Sequence, residues 1–256
     1  MTMSLTKLIL RFAAPLPKVE AFERYLFIGP HPDDIEIGAG ATAAKLAAMG
    51  KTVCFLICTD GRFGEGNVPE TGDALAALRK KEAIASAAML GVKDVRFLDL
   101  SDGGLYAQDD LLGKMAKVIA DFQPDVLLAP DPCVRSEGHV DHLNVGQAAR
   151  LLACAAPYPG VMAGHGAKAA PVKAIAYFMT ARPNRFVATR GYFNRQLDSI
   201  LSCHKSQFPA GDPAGKSIAL YLNLRSIDFG LRSLKGRAEG FRVLSQTHMH
   251  CLPESD

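Results

Sequence analysis

Arg24-Tyr-Leu-Phe-Ile-Gly-Pro-His-Pro-Asp-Asp-Ile-Glu-Ile-Gly38 passes from an apolar run, through a Gly-Pro stop, into a dense polar cluster and then into Ala-rich sequence. Arg24 to Ile28 reads as a buried strand ended by Gly29-Pro30. Gly38 to Met49 reads as a helix closed by Gly50. Between them, His31, Asp33, Asp34 and Glu36 place one imidazole and three carboxylates within six residues. Carboxylates crowded in this way resist burial unless a cation lies among them. A strand-to-helix turn of this composition points to a divalent metal site. A second cluster, His139-Val140-Asp141-His142, is able to complete it.

The same alternation continues outward. Thr52 to Cys58 is a continuous apolar strand ended by Thr59-Asp60-Gly61, and a Gly-rich loop follows from Arg62 to Gly72. Asp73 to Leu90 is a helix closed by Gly91, Asp94 to Leu100 a strand, and Gln108 to Phe122 a helix. Asp125 to Ala129 is a strand ended by Pro130, and Gly138 to Ala156 holds the next helix. Strands that are apolar throughout and separated by helices imply a parallel sheet covered on both faces, with right-handed crossovers. The expected fold is therefore α/β, a three-layer Rossmann-like arrangement with a mainly parallel sheet. The C-terminal third is less regular. Ala174 to Met179 reads as a strand, Tyr192 to His204 as a helix and Ser206 to Gly215 as a loop. Ile218 to Arg232 fits either an amphipathic helix or a strand pair. With no internal repeat or linker, residues 24–256 are expected to form one domain behind an N-terminal extension, residues 1–23.

Composition excludes several classes. A formal net charge of +3 on 256 residues, with no long run of one sign, gives no argument for nucleic acid or an anionic membrane surface. No apolar segment reaches the roughly 20 residues needed to span a bilayer. The apolar patch Leu8-Ile9-Leu10 is too short for a signal-peptide core. Six scattered cysteines with no C-x-x-C pair read as reduced thiols. A cytoplasmic enzyme is the expectation. Two metal-like or cofactor-like motifs are set aside. Gly38-Ala-Gly40 lacks the rest of a dinucleotide fingerprint, so its glycines are expected to serve close packing. His248-Met-His250-Cys251 is expected to lie on a frayed terminus.

In an open parallel sheet, ligands bind beyond the carboxyl ends of the strands. Four polar clusters fall at such ends: His31 to Glu36, Thr59 to Phe63, Asp99 to Gly103 and Asp131 to His142. His31, Asp34 and His142 supply two imidazoles and one carboxylate, which leaves positions open for water and substrate. That is the donor count of a catalytic zinc site. It is also the triad of non-haem iron oxygenases, although the spare carboxylate Asp33 suits a hydrolytic base better.

Taken together, Pro30-His-Pro-Asp-Asp-Ile-Glu-Ile-Gly38 and His139-Val-Asp-His142 resemble the LmbE/PIG-L family of metal-dependent N-deacetylases. The likeness extends to Thr59-Asp-Gly-Arg62, Arg79-Lys-Lys-Glu82, Phe97 to Gly103, Cys203-His-Lys-Ser-Gln-Phe208 and Gly236 to Phe241, roughly residues 24 to 245 in all. The resemblance implies that His31, Asp34 and His142 bind zinc, with iron or another divalent metal as the alternative. It implies that Asp33 is the general base, that His139 supports the oxyanion, and that Asp141 orients His139 and keeps it charged. Zinc would polarise the amide and lower the pKa of a bound water from about 15.7 towards about 7. One departure from the family pattern is Ile35, where many members carry Glu. Arg79 matches a substrate-binding arginine, while Asp102, Arg62, Arg182 and His204 are weaker candidates for substrate contacts. The implied substrate is a small N-acetylated amino sugar conjugate, and the implied assembly a homo-oligomer, trimer or hexamer. A sugar-binding homologue that has lost catalysis is the third reading.

Overall fold

The computed structural model describes residues 5–252. The first four residues of the expected extension, and the side chains of Lys7, Leu8, Arg11 and Cys251, lie outside that description. A helix α1 (Leu5–Ala13) and a 3-10 turn (Val19–Ala21) precede the first strand. Val19 and Phe22 are buried, and the Arg185 guanidinium donates to the carbonyls of Leu16 and Pro17, so this stretch is packed against the sheet.

Five strands form the parallel part of the sheet: β1 (Arg24–Gly29), β2 (Thr52–Thr59), β3 (Asp94–Leu100), β4 (Val126–Pro130) and β5 (Ala174–Phe178). Their order in space is β3-β2-β1-β4-β5. Strands β1 and β2 are buried along almost their whole length, because helices cover both sides. On one face Tyr25, Phe27, Phe55 and Ile57 pack with α2 (Asp34–Ala48) and α3 (Gly72–Leu90). On the other, Leu26, Ile28, Leu56 and Cys58 pack with α4 (Gln108–Phe122) and α5 (Val140–Ala155). The two-residue alternation of a strand sorts these side chains between the two cores.

Two antiparallel strands extend the sheet beyond β5. β7 (Ala238–Ser245) pairs with β5, and the four-residue β6 (Arg185–Ala188) pairs with β7 at the edge. Neither was legible as a strand: β6 is short, and β7 has a glycine and two charged residues in it. Between them lie α7 (Phe193–Cys203) and α8 (Pro213–Ser233). The open choice for residues 218–232 is settled as one helix, and it begins inside the stretch expected to be a loop. The Asp212 carboxylate accepts from Ala214 N at 2.7 Å, and Pro213 occupies the first turn, a start signal present in the sequence. Its period was obscured because Leu220, Leu224 and Leu231 are exposed while Leu222 and Phe229 are buried. A short helix α6 (Pro159–Gly164) follows α5.

The C-terminal tract is a correction. Residues 246–251 form α9 (Gln246–Cys251), docked rather than frayed. His248 Nδ1 lies 2.6 Å from Ser245 Oγ, and His250 Nε2 lies 3.3 Å from Cys154 Sγ. The five cysteines whose side chains are described are free thiols. Among the described residues, no helix is long and apolar enough to cross a membrane.

Candidate metal centre

Strand order reverses between β1 and β4. From β1 the chain moves outward to β2 and β3, then returns to the other side of β1 with β4. The two connections diverge at that point and leave a crevice beyond the strand ends. His31 to Asp34 leave β1 on one side of it, and the β4–α5 loop brings His139 to His142 from the other.

His31 Nδ1 lies 3.0 Å from Asp34 Oδ2, and His142 Nε2 lies 3.3 Å from Asp34 Oδ1. The donor atoms of His31, Asp34 and His142 all fall within 4.8 Å of one another. One carboxylate thus faces two imidazoles. Each imidazole is held from behind by a second carboxylate: His31 Nε2 by Asp141 Oδ2 at 3.1 Å, and His142 Nδ1 by Glu137 Oε2 at 3.0 Å. A carboxylate on the distal nitrogen fixes that nitrogen as the donor and turns the lone pair of the other inward, the arrangement found behind metal-bound histidines. The donor set therefore fits a divalent cation.

Electrostatics agree. Burial opposes charging His31, but Asp141 and Asp34 outweigh it and raise its pKa to about 10. Burial likewise opposes the charge on Asp34, yet His142 and His31 hold its carboxyl well below the usual range. His142 is shifted upward against burial, chiefly by Asp34. The cluster holds protons tightly where a cation would take their place.

Asp141 sits differently from expectation. Its carboxylate is fully buried and accepts from Gly103 N at 2.7 Å and Gly104 N at 2.9 Å as well as facing His31. Its separation from His139 Nδ1 is 3.8 Å, so it orients His31 rather than His139. His139 instead caps α5, its Nδ1 accepting from Asp141 N at 3.3 Å. Its ring stacks on His142 at 5.1 Å with about half of the side chain open to solvent. Burial, and then the charges of His31 and His142, push its pKa down and outweigh the upward pull of Asp141.

Asp33 lies at the N-terminus of α2, outside the three-donor cluster. Its Oδ1 is 3.3 Å from Arg79 Nη2. Arg79 is buried and its Nη1 donates to Gly61 O at 3.0 Å. A Cβ at Gly61 or Gly64 would collide with this guanidinium, and Gly61 has φ +68°, so the loop after β2 needs glycine to close over Arg79. Arg79 thus faces Asp33 and has almost no surface of its own.

The remaining substrate candidates are dispersed. Asp102 is buried and accepts from Phe63 N, with burial raising its pKa. Arg62 pairs with Asp60 and Asp73 and lines a cavity of about 210 Å³ with Pro32 and Lys80. Arg182 is exposed beyond β5, on the other side of the crevice. His204 has no exposed surface and lies beneath the site rather than on its wall. Its Nε2 is 3.4 Å from Glu36 Oε1, an ion-pair distance without hydrogen-bond alignment, and burial is outweighed by Glu36 to raise its pKa.

Glu137 escaped the sequence reading, although it stands five residues before His142. The role of Gly38 and Gly40 is close packing. A Cβ on Gly38 would overlap the buried Phe178 ring, and one on Gly40 would lie 3.0 Å from Gln196 Cγ.

The family model for PIG-L, GlcNAc-PI de-N-acetylase, matches residues 26–153, which hold His31 to Asp34 and His139 to His142. The chain is 32% identical over 257 residues to a diacetylchitobiose deacetylase of Thermococcus kodakarensis, covering 97% of this chain and 92% of the relative. The chain belongs to the PIG-L family. The PIG-L fold extends to its full length: an N,N'-diacetylchitobiose deacetylase structure from Pyrococcus horikoshii superposes with a TM-score of 0.88 at 28% identity, covering 99% of this chain and 97% of that one. A 1D-myo-inositol 2-acetamido-2-deoxy-alpha-D-glucopyranoside deacetylase of Kineococcus radiotolerans is 33% identical over 53% of this chain and 46% of the relative. These PIG-L relatives are deacetylases, which cleave a carbon–nitrogen bond, and this chain is an amidohydrolase of the same family.

Proposed function

We propose that this PIG-L member is a zinc-dependent deacetylase that releases acetate from an N-acetylglucosamine-type sugar conjugate. The observation that carries the reading is the division of labour between neighbours. His31, Asp34 and His142 converge as donors, while Asp33 stands beside them, its side chain committed among the described residues to Arg79 alone. The relatives of nearly full length, both named for diacetylchitobiose, support a short N-acetylglucosamine oligosaccharide as the first substrate to test. Nothing in the donor arrangement favours the oxygenase reading or the catalytically silent one.

His31, Asp34 and His142 would hold the cation, which when bound supplies Lewis-acid polarisation of the amide and a more acidic water. Asp33 is placed to accept a proton from the attacking water as the water oxygen adds to the acetyl carbon. Arg79 fixes the Asp33 carboxylate for this transfer and, by occupying Oδ1, leaves Oδ2 to act. His139, at the open rim, donates to the developing oxyanion, an interaction worth about 3 kcal/mol. Asp33 then returns its proton to the departing nitrogen, so that the C–N bond breaks to give acetate and a free amine. Asp141 and Glu137 hold the two ligand imidazoles throughout.

The test is acetate release from diacetylchitobiose by the zinc-loaded protein and by Asp33→Asn. The variant should retain zinc by elemental analysis and lose activity by at least about a hundredfold, the usual weight of a general base. Turnover comparable to the native enzyme in the zinc-loaded variant would remove Asp33 from the mechanism.

A further inference from the structure

A second cavity, of about 220 Å³, opens beyond the ends of β4 and β5. It is lined by Asp131, Cys133, Val134, Arg135, Ala181, Arg182 and Arg242. Three of these side chains are guanidinium groups and one is a carboxylate. The carboxylate is already spent: Asp131 accepts from Arg242 Nε at 2.9 Å and Nη2 at 2.6 Å, from Thr180 Oγ1 at 2.6 Å and from Cys133 N at 3.0 Å. Arg242 in turn lies 4.4 Å above the Tyr177 ring, so the pair forms a rigid floor. Arg135 and Arg182 are exposed, and among the described residues neither guanidinium has a carboxylate or hydrogen-bond partner. Glu137, two residues beyond Arg135, turns to the metal side, where it engages His142 and His139 N. The lining therefore carries two uncompensated positive charges around a space large enough for a small ionic group.

Its position relates it to the metal centre. Strands β1, β4 and β5 are consecutive in the sheet. At ~4.8 Å per strand spacing, the end of β5 lies roughly 10 Å from the end of β1. The loop that supplies Val134 and Arg135 goes on to supply Glu137 and His139 and leads into the first turn of α5, which carries His142. An anionic substituent on a substrate held at the metal centre would be drawn to the two unpaired arginines.

We propose that this cavity is a subsite for an oxyanion, a phosphate or carboxylate, borne on the part of the substrate remote from the acetylated amine. Arg135 and Arg182 are its recognition groups, since planar guanidinium groups match both oxyanions bidentately. The inference rests on the deacetylase reading for the identity of the remote group, but not for the existence of the anion site.

Two measurements keep these apart. The first is calorimetric binding of amine products: glucosaminyl-inositol phosphate, glucosaminyl-glucuronate and neutral chitobiose, to the native protein and to R135A/R182A. The native protein should bind one or both anionic ligands at least tenfold more tightly than chitobiose, and the double variant should lose that margin. R135K/R182K should recover part of it, which a merely structural defect would not. The second is the ratio of kcat/KM for the acetylated anionic and neutral conjugates, which should fall at least tenfold in R135A/R182A through KM. Equal binding of all three ligands by the native protein, or a margin untouched by the double substitution, overturns the subsite. Absence of acetate release from every conjugate overturns the deacetylase reading and leaves the binding result to decide the subsite.

Discussion

Glu239 links the last strand to helix α2, which carries the candidate donor Asp34, and its pH behaviour can be worked from its surroundings. Helix α2 is broken at Ala39, where φ is −154° and ψ 19°. The break frees N–H groups on one side and carbonyls on the other. Glu239 takes the N–H groups, accepting from Ala41 at 3.1 Å and from Thr42 at 2.7 Å. Gln196 takes a carbonyl, donating to Glu36 O at 2.7 Å. Burial of the Glu239 carboxylate outweighs these donors and raises its pKa from 4.5 to about 7. The folded protein therefore holds a proton between pH 4.5 and 7 that the unfolded chain has released. With more protons bound in the folded state, stability falls as pH rises through that window. At ~1.36 kcal/mol per unit, the loss is about 3 kcal/mol across it. Urea unfolding of native protein and Glu239→Gln, at intervals from pH 4.5 to 8, measures this directly. The histidines and the metal cluster titrate alike in both proteins, so they cancel in the difference. The native protein should lose about 3 kcal/mol relative to the variant over that range, with the constant offset from the amide disregarded. Parallel curves would refute the reasoning.

Other consequences are open to simpler tests. Gly38→Ala should cost about 1–3 kcal/mol in urea unfolding, because its methyl group overlaps the fully buried Phe178 ring. Arg242→Met strands the buried Asp131 carboxylate and should cost about 3–5 kcal/mol, and adding Asp131→Asn should restore part of that in a double-mutant cycle. His142→Ala should abolish stoichiometric zinc by elemental analysis. Glu137→Gln should keep the site but weaken it about 10- to 100-fold in chelator competition, since it removes only the carboxylate behind His142.

Much of the fold could be read from local signals. β3 and α4 fall on the residues expected of them, and β1, β2, β4 and α3 within a residue or two, since each combines an apolar run with a Gly or Pro stop. The C-terminal third resisted. α8 has apolar residues on both its buried and exposed faces, which erases the 3.6-residue period. β7 reads as polar because Glu239 and Arg242 find buried partners on α2 and in the β4–α5 loop that no local pattern can reveal. The site divides in the same way. The candidate donors His31, Asp34 and His142 were visible because histidines and carboxylates cluster in sequence there. Glu137 was not, since one glutamate in a loop carries no signal until its distance to an imidazole is known.

By itself, the sequence determined the chemistry on offer at the crevice: two imidazoles, three neighbouring carboxylates and a parallel α/β frame to present them. The assignment of those groups was decided only by the tertiary structure. Asp141 serves His31 rather than His139, Arg79 serves Asp33, and His204 faces Glu36 beneath the site. The reason is physical. Residue type fixes what a group can donate or accept. Which partner it meets depends on helices and strands far apart along the chain; His31 and Asp141, 110 residues apart, come within 3.1 Å across the reversal of strand order.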